Sequence, residues 1–419
     1  MATTILMLAL AVGAGNFPPT PAQRQVAAAR HAAAKRPGDP RAHAELALAL
    51  ARRARETHDP EFYTLGALAA ERALVLAPGN AAGRRARAWI LLGQHEFARA
   101  LDEALALARE LPADPVVQGL LVDAHVELGD YDAAERAAER LLHLAPGSLS
   151  ARTRAAYLRE LFGDVDGALE LMESAYGSVP AGESEERAWV LVQIAHLRFV
   201  RGEPEVAAAA LRAALDAFPG YHYALAGLAR VRAAQGDHGA ALELYKARYG
   251  SAPHPECLFD LAVALERAGR PDEAGSAFER FEREALTESA GWDNANRELI
   301  RYYVDHAGRP EAALPIAERE LARRRDVHTL DAYAWTLHAL GRRAEARQAI
   351  ESVLAVGVRD PEILAHAAVI SAPEPLNVPR AAPRARRRSR GLRARQSSHS
   401  PPSSRRRRRS GCRTNAARD

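Results

Sequence analysis

Seven glycines recur through the middle of the sequence at intervals of 34, 39, 34, 33, 39 and 33 residues, and an alanine follows each of them five positions later. The glycines are Gly129, Gly163, Gly202, Gly236, Gly269, Gly308 and Gly341. The alanines are Ala134, Ala168, Ala207, Ala241, Ala274, Ala313 and Ala346. Independent placement rarely gives seven matched pairs, so the pattern predicts one structural unit repeated along the chain.

A glycine followed five residues later by an alanine is typical of a helical hairpin. Glycine adopts the left-handed backbone that ends a helix in a tight turn, as at Gly129 within the segment Leu128 to Asp132. Apolar residues precede it at helical spacing, for example Leu120 and Ala124. The alanine falls one turn into the second helix, where we expect the two helices to approach most closely. Prolines such as Pro146 then close the unit.

These residues resemble the tetratricopeptide repeat, and Val116 to Ser148 reads almost as a consensus unit, with Gly129, Asp130 and Tyr131 at its turn. The composition agrees, because aromatic residues make up only 6% of the chain and good helix formers are abundant. The resemblance implies an all-α fold, a right-handed superhelix (solenoid) of tandem helical hairpins. It also implies a non-catalytic scaffold that binds other proteins.

The repeat organises most of the chain. Residues 20–38 are expected to form an N-terminal capping helix, since Thr20, Pro21 and Gln23 make a capping box. Residues 39–371 are expected to hold about nine hairpins plus a half repeat. In the second hairpin we assign Gly93 and Ala98 as the turn pair. An unfinished last repeat leaves apolar surface exposed, so it also predicts a homodimer through the C-terminal repeat.

The first 19 residues have two interpretations. An apolar run from Ile5 to Val12 precedes small residues that suit a signal peptidase, but Met1 to Thr4 carries no positive charge. Met1 to Ala14 is therefore either a signal peptide, which would place the protein outside the cytoplasm or in a periplasm, or a disordered N-terminus of a cytoplasmic protein. No stretch approaches the length of a membrane span.

Charge is divided unevenly along the sequence. Residues 372–419 contain 15 Arg against Glu374 and Asp419, whereas residues 1–371 carry 42 basic and 51 acidic groups. We interpret this Arg-, Ser- and Pro-rich tail as disordered or as the product of a frameshift. Nucleic-acid binding through the tail is the alternative function, although a body of net charge −9 would repel phosphate.

No catalytic or metal-binding motif is present in the sequence. His95 and Glu96 lack the second histidine of a zincin helix, and no phosphate loop or nucleophile elbow occurs. The two cysteines, Cys257 and Cys412, are too far apart to suggest a metal knuckle. We therefore expect no enzyme activity, no metal and no cofactor. Regulation of a separately encoded enzyme is a further alternative.

The concave groove of such a solenoid is lined mainly by first-helix side chains, and aromatic and Arg residues anchor interfaces well. We expect this groove to bind a peptide or helix of a partner protein of unknown identity. The candidate partner-binding residues are Tyr157, Trp189, His196, Phe199, Tyr223, Arg230, Tyr302, Asp331, Trp335 and His338.

Overall fold

The structure is a computed structural model that describes residues 18–372, all within one structural unit. The predictions for the first 19 residues and for the Arg-rich tail fall almost wholly outside this range. Within it, the chain contains 20 α-helices, one short π-helix and no strand. The all-α prediction is therefore confirmed.

A single helix, α1 (Pro21–Lys35), begins the described chain. The Thr20 side chain and the Gln23 side chain cap its start reciprocally. Nine helical hairpins follow within residues 18–372: α2 (Pro40–Thr57) with α3 (Glu61–Leu76), α4 (Ala81–Gly93) with α5 (Phe97–Glu110), α6 (Pro115–Glu127) with α7 (Tyr131–Leu144), α8 (Leu149–Leu161) with α9 (Val165–Ser178), α10 (Ser184–Val200) with α11 (Pro204–Ala217), α12 (His222–Ala234) with α13 (His238–Ser251), α14 (Pro255–Arg267) with α15 (Pro271–Glu288), α16 (Asn296–Arg301) with α17 (Pro310–Arg323), and α18 (Val327–Ala339) with α19 (Arg343–Leu354). A last helix, α20 (Pro361–Ser371), packs on α18 and α19. The π-helix Tyr302–His306 continues α16.

The turn between α6 and α7 shows why glycine and aspartate stand together at positions 129 and 130. Gly129 has a φ of 76°, which only glycine adopts without strain. The next residue, Asp130, accepts a hydrogen bond from the Ala133 amide and so caps α7. The other six repeat glycines also have positive φ. The turn therefore ends one helix and starts the next within three residues.

The repeat alanines lie in the contact between helices. All seven are at most 2% exposed, and Ala134, Ala168 and Ala207 are fully buried. Leucine and isoleucine side chains surround them in a chain of apolar clusters that runs along the solenoid. Each hairpin buries its apolar face on the next, which is how a repeat array stabilises itself.

The turn predicted at Gly93 and Ala98 is wrong by two residues. Gly93 is the last residue of α4, and a Cβ there would lie 2.1 Å from the Tyr63 ring. The left-handed residue is His95, with a φ of 55°, and the buried alanine five positions later is Ala100. Glycine is needed at position 93 for close packing, and histidine takes the turn position instead.

The solenoid winds tightly enough for hairpins far apart in the sequence to touch. The Arg325 amide donates to the Glu127 carbonyl oxygen at 2.8 Å, and the Val327 amide donates to the Tyr131 hydroxyl at 3.0 Å. On the first hairpin, Arg55 donates two hydrogen bonds to the Glu185 carboxylate, at 3.1 and 2.7 Å. We refer to these contacts between successive superhelical turns as the closure contacts.

None of the helices within residues 18–372 combines the length and the apolar character needed to cross a bilayer.

Candidate functional site

A cavity of about 410 Å³ lies on the inner surface of the superhelix. Its walls come mainly from α8, α10, α12, α14 and α16, with the segment before α20 closing one side. Five of the predicted groove residues line it: Tyr157, His196, Phe199, Tyr223 and Arg230. Since these side chains come from three consecutive first helices, the repeat geometry brings them to one face.

A second cavity, of about 570 Å³, adjoins the first. It shares His196, Phe199 and Arg230 with the first cavity and adds the predicted residue Asp331. Asp331 is buried, and its carboxylate accepts a hydrogen bond from His366 Nδ1 at 2.9 Å. The two cavities therefore form one continuous lining around Phe199 and Arg230.

Four predicted groove residues are absent from the linings of both cavities. Trp189 is half-buried and packs against the apolar clusters of α9 to α12. Tyr302 is 8% exposed and stacks on Phe278 with ring centroids 5.2 Å apart. Trp335 lies between the rings of His338 and His366, 5.4 and 4.3 Å away, and donates to Asp305. These four side chains pack between helices.

Charged side chains of both signs face the first cavity, and most of them are paired. The fully buried base of the cavity holds Arg248, which bonds to Glu256 at 2.5 Å and also to Asp260. Burial opposes ionisation of Glu256, but Arg248 outweighs it and lowers the pKa of that carboxyl to about 2. Burial raises the pKa of Asp260, and Arg248 offsets part of this effect. His196 pairs with Glu160 at 2.6 Å.

Three exposed arginines of the cavity linings, Arg230, Arg267 and Arg359, have no ion-pair or hydrogen-bond partner within residues 18–372. Of these, only Arg230, on α12, borders both cavities. In the first cavity, Phe199 and Val192 offer apolar surface, and Tyr157 is 36% exposed. The site thus presents a free guanidinium next to an apolar wall.

Sequence reasoning missed the charged base of the cavity. Arg248 lies on a second helix, α13, and only 2% of it is exposed. Nothing in the repeat pattern separates it from arginines on the outer face. The one sequence feature that could have pointed to Arg248 is its position on the side of α13 that faces α14, the first helix of the next hairpin. There it pairs with Glu256 and Asp260 of α14.

The comparisons with known proteins agree with this architecture. A family model described as tetratricopeptide repeat matches residues 120–183 and 192–254. No curated protein matches the sequence. The chain is similar in structure to a monomeric IFIT1 mutant with m7Gppp-AAAA, at a TM-score of 0.50 and 16% identity, covering 76% of this chain and 71% of that one.

Two further solved structures show weaker likeness. The APC/C hetero-tetramer Cut9-Hcn1 matches at a TM-score of 0.47 and 13% identity over 78% of this chain, which spans 56% of that chain. PilF of Pseudomonas aeruginosa matches at a TM-score of 0.40 and 11% identity over 48% of this chain and 89% of that one.

Identities this low concern the fold alone. The tetratricopeptide fold is a helical scaffold that generally mediates protein interactions and is generally non-catalytic. The repeated glycines and alanines, the consecutive helical hairpins and the family-model match together show that residues 120–183 and 192–254 are tetratricopeptide repeats within a solenoid of helical hairpins.

Proposed function

We propose that the protein is a non-catalytic scaffold that binds an extended segment of a partner protein in its inner cavities. The observation that carries the proposal is the unpaired Arg230 guanidinium beside Phe199, on a surface shared by both cavities. A guanidinium next to apolar surface in a concave site is well suited to pair with a carboxylate of a bound segment.

The side chains of the cavity lining indicate which residues the bound partner segment contains. A carboxylate of the partner pairs with Arg230, in the bidentate geometry that a guanidinium favours. An apolar or aromatic side chain next to it packs on Phe199 and Tyr157. Arg248 and Glu256 at the base of the first cavity already pair with each other and add little attraction.

The size of the site favours an extended chain over a folded domain. Cavities of about 410 and 570 Å³ hold a few side chains, within the range of ordinary ligand pockets. The closure contacts hold the walls in place before binding, which reduces the ordering cost of association.

The test uses a random dodecapeptide library displayed on phage and selected against the full chain. Selected peptides are then measured by fluorescence anisotropy against three variants. Arg230→Ala removes the free guanidinium, and Phe199→Ala removes the apolar wall. Arg232→Ala is the matched control, because it lies on the same helix and outside both linings.

We expect the selected peptides to share an acidic residue next to an apolar one. Arg230→Ala should weaken their binding by roughly 1.5–3 kcal/mol, the range of a hydrogen bond to a charged group, while Arg232→Ala leaves it unchanged. Peptides without acidic residues, or equal affinity for the two Arg variants, contradict the proposal.

The other functional expectations stay predictions. Nucleic-acid binding through the tail concerns residues outside the described range. The homodimer through the last repeat rests on α20, whose Leu364 and Val369 are 39% and 47% exposed. Regulation of an enzyme has no structural feature that favours it over simple scaffolding.

A further inference from the structure

Three side chains with metal-binding atoms meet at a contact between two superhelical turns. His58 ends α2 in a left-handed conformation with a φ of 58°. His254 and Glu256 begin α14, almost 200 positions later in the chain. One donor atom from each of the three lies within 4.8 Å of the other two.

His58 points its free nitrogen at this meeting point. Its Nε2 is buried, has no hydrogen-bond partner within residues 18–372 and lies 3.7 Å from Glu256 Oε2. Ligands around a tetrahedral ion with bonds of about 2.1 Å lie roughly 3.4 Å apart, so this pair is already close to a ligand spacing.

His254 has a weak amide contact at one ring nitrogen and a carboxylate near the other. Its Nδ1 accepts a long, 3.3 Å hydrogen bond from the Glu256 amide, so Nδ1 carries the lone pair and Nε2 the proton of the neutral ring. Nε2 faces Asp293 Oδ1 at 3.4 Å. A carboxylate behind the second nitrogen is the usual support of a metal-binding histidine.

The charges around the cluster favour a dication. Glu256 holds Arg248 with Oε1 and leaves Oε2 turned to His58. On the His254 side, the carboxylates of Asp293 and Glu288 have no arginine ion pair within residues 18–372, so the charge next to His254 is negative. On the other side, Arg248 pairs with both Glu256 and Asp260.

We propose that His58, His254 and Glu256 bind a zinc-type divalent ion, with Asp293 supporting His254. Two imidazoles and one carboxylate are a common zinc ligand set, and water completes the tetrahedron. Binding replaces the long amide contact at His254 Nδ1. The ion ties the α2–α3 connection to α14 and so adds a cross-link to the closure contacts. Sequence spacing did not reveal the site, because its ligands come from hairpins six repeats apart.

The test titrates ZnCl₂ by calorimetry into the full chain, prepared without a histidine tag and stripped with a chelator. His58→Ala and Glu256→Gln remove one ligand each, and Glu256→Gln preserves side-chain shape if His58→Ala folds poorly. His143→Ala, an exposed histidine of α7, controls for surface binding, and Cys412→Ser controls for thiolate binding. Circular dichroism checks that each variant is helical.

We expect one zinc equivalent per wild-type chain. Both ligand variants should weaken it at least roughly tenfold, and the two control variants should not. The same single equivalent should raise the thermal midpoint of the wild type and not that of Glu256→Gln. The absence of saturable binding, or undiminished binding by Glu256→Gln, overturns the proposal and leaves the peptide-binding site untouched.

Discussion

The closure contact at Glu185 offers a quantitative test of the superhelix. Glu185 lies in the first turn of α10, is fully buried, and receives two hydrogen bonds from Arg55 of α2. Its carboxylate also accepts a 2.9 Å hydrogen bond from the Tyr221 hydroxyl. Replacing Glu185 with Ala therefore leaves two donor groups unpaired at a contact between turns.

The size of the expected stability loss follows from the two donors, Arg55 and Tyr221, that Glu185→Ala leaves without a partner. Removing one partner of a buried ion pair costs about 3–5 kcal/mol, because the other charge stays desolvated. Arg55 is 33% exposed at its side chain and regains some water, which places its share near the lower limit. The orphaned Tyr221 hydroxyl adds about 1 kcal/mol. We expect Glu185→Ala to lower the free energy of unfolding by roughly 3–4 kcal/mol.

Unfolding in guanidinium chloride, followed by circular dichroism, measures the change in the free energy of unfolding. Faster amide hydrogen exchange in α2 would show that the stability is lost at this contact. Glu186→Ala is the matched control on the same helix, because its carboxylate lies 3.8 Å from Arg52 and contributes at most about 1 kcal/mol. A double variant, Arg55→Met with Glu185→Leu, should recover most of the loss. Equal stability of Glu185→Ala and Glu186→Ala would refute the closure contact between Arg55 and Glu185.

Three further predictions concern single positions. Gly129→Ala should lower the thermal midpoint of unfolding by more than Gly202→Ala. Both glycines have a positive φ, but only at position 129 would a Cβ lie 2.7 Å from the Arg325 carbonyl oxygen. Equal losses of stability in the two variants would contradict this contact between turns. Ala207→Leu should cost about 1–3 kcal/mol through overpacking, whereas Ala210→Leu, on the same helix and half-buried, should cost less. Burial beside Arg324 and Arg297 lowers the pKa of His95 from 6.5 to about 4. Below pH 6.5 the unfolded chain therefore gains a proton at His95 that the folded chain does not, and the free energy of unfolding falls toward pH 4. His95→Asn should reduce the loss of stability between pH 7 and pH 5, measured by chemical denaturation. An unchanged loss between these two pH values contradicts the prediction.

Local sequence rules predicted the hairpins because those rules act within one unit. A glycine that needs positive φ and an alanine that needs a close helix contact are five residues apart, so both leave a periodic signal. The rule failed at His95, where a non-glycine residue takes the left-handed position. It also gave no hint of the π-helix at Tyr302–His306.

The closure contacts could not be predicted in this way. Arg55 and Glu185 are ordinary charged residues in the sequence, and their pairing depends on how strongly the superhelix winds. Winding is the sum of small rotations at every hairpin, so no single motif encodes it. The same limit explains why first-helix spacing predicted Tyr157, Phe199 and Arg230 as groove residues but gave no sign of Arg248 or of the His58 cluster.

Site-specific photocrosslinking shows whether the partner segment binds in the inner cavities. A benzophenone amino acid replaces Tyr157, which lines the first cavity, or Val206, which is 48% exposed on α11 and absent from both linings. Each protein is irradiated with a selected, labelled dodecapeptide. We expect a peptide adduct at position 157 and none at position 206. Equal labelling at the two positions, or labelling at position 206 alone, contradicts binding in the inner cavities.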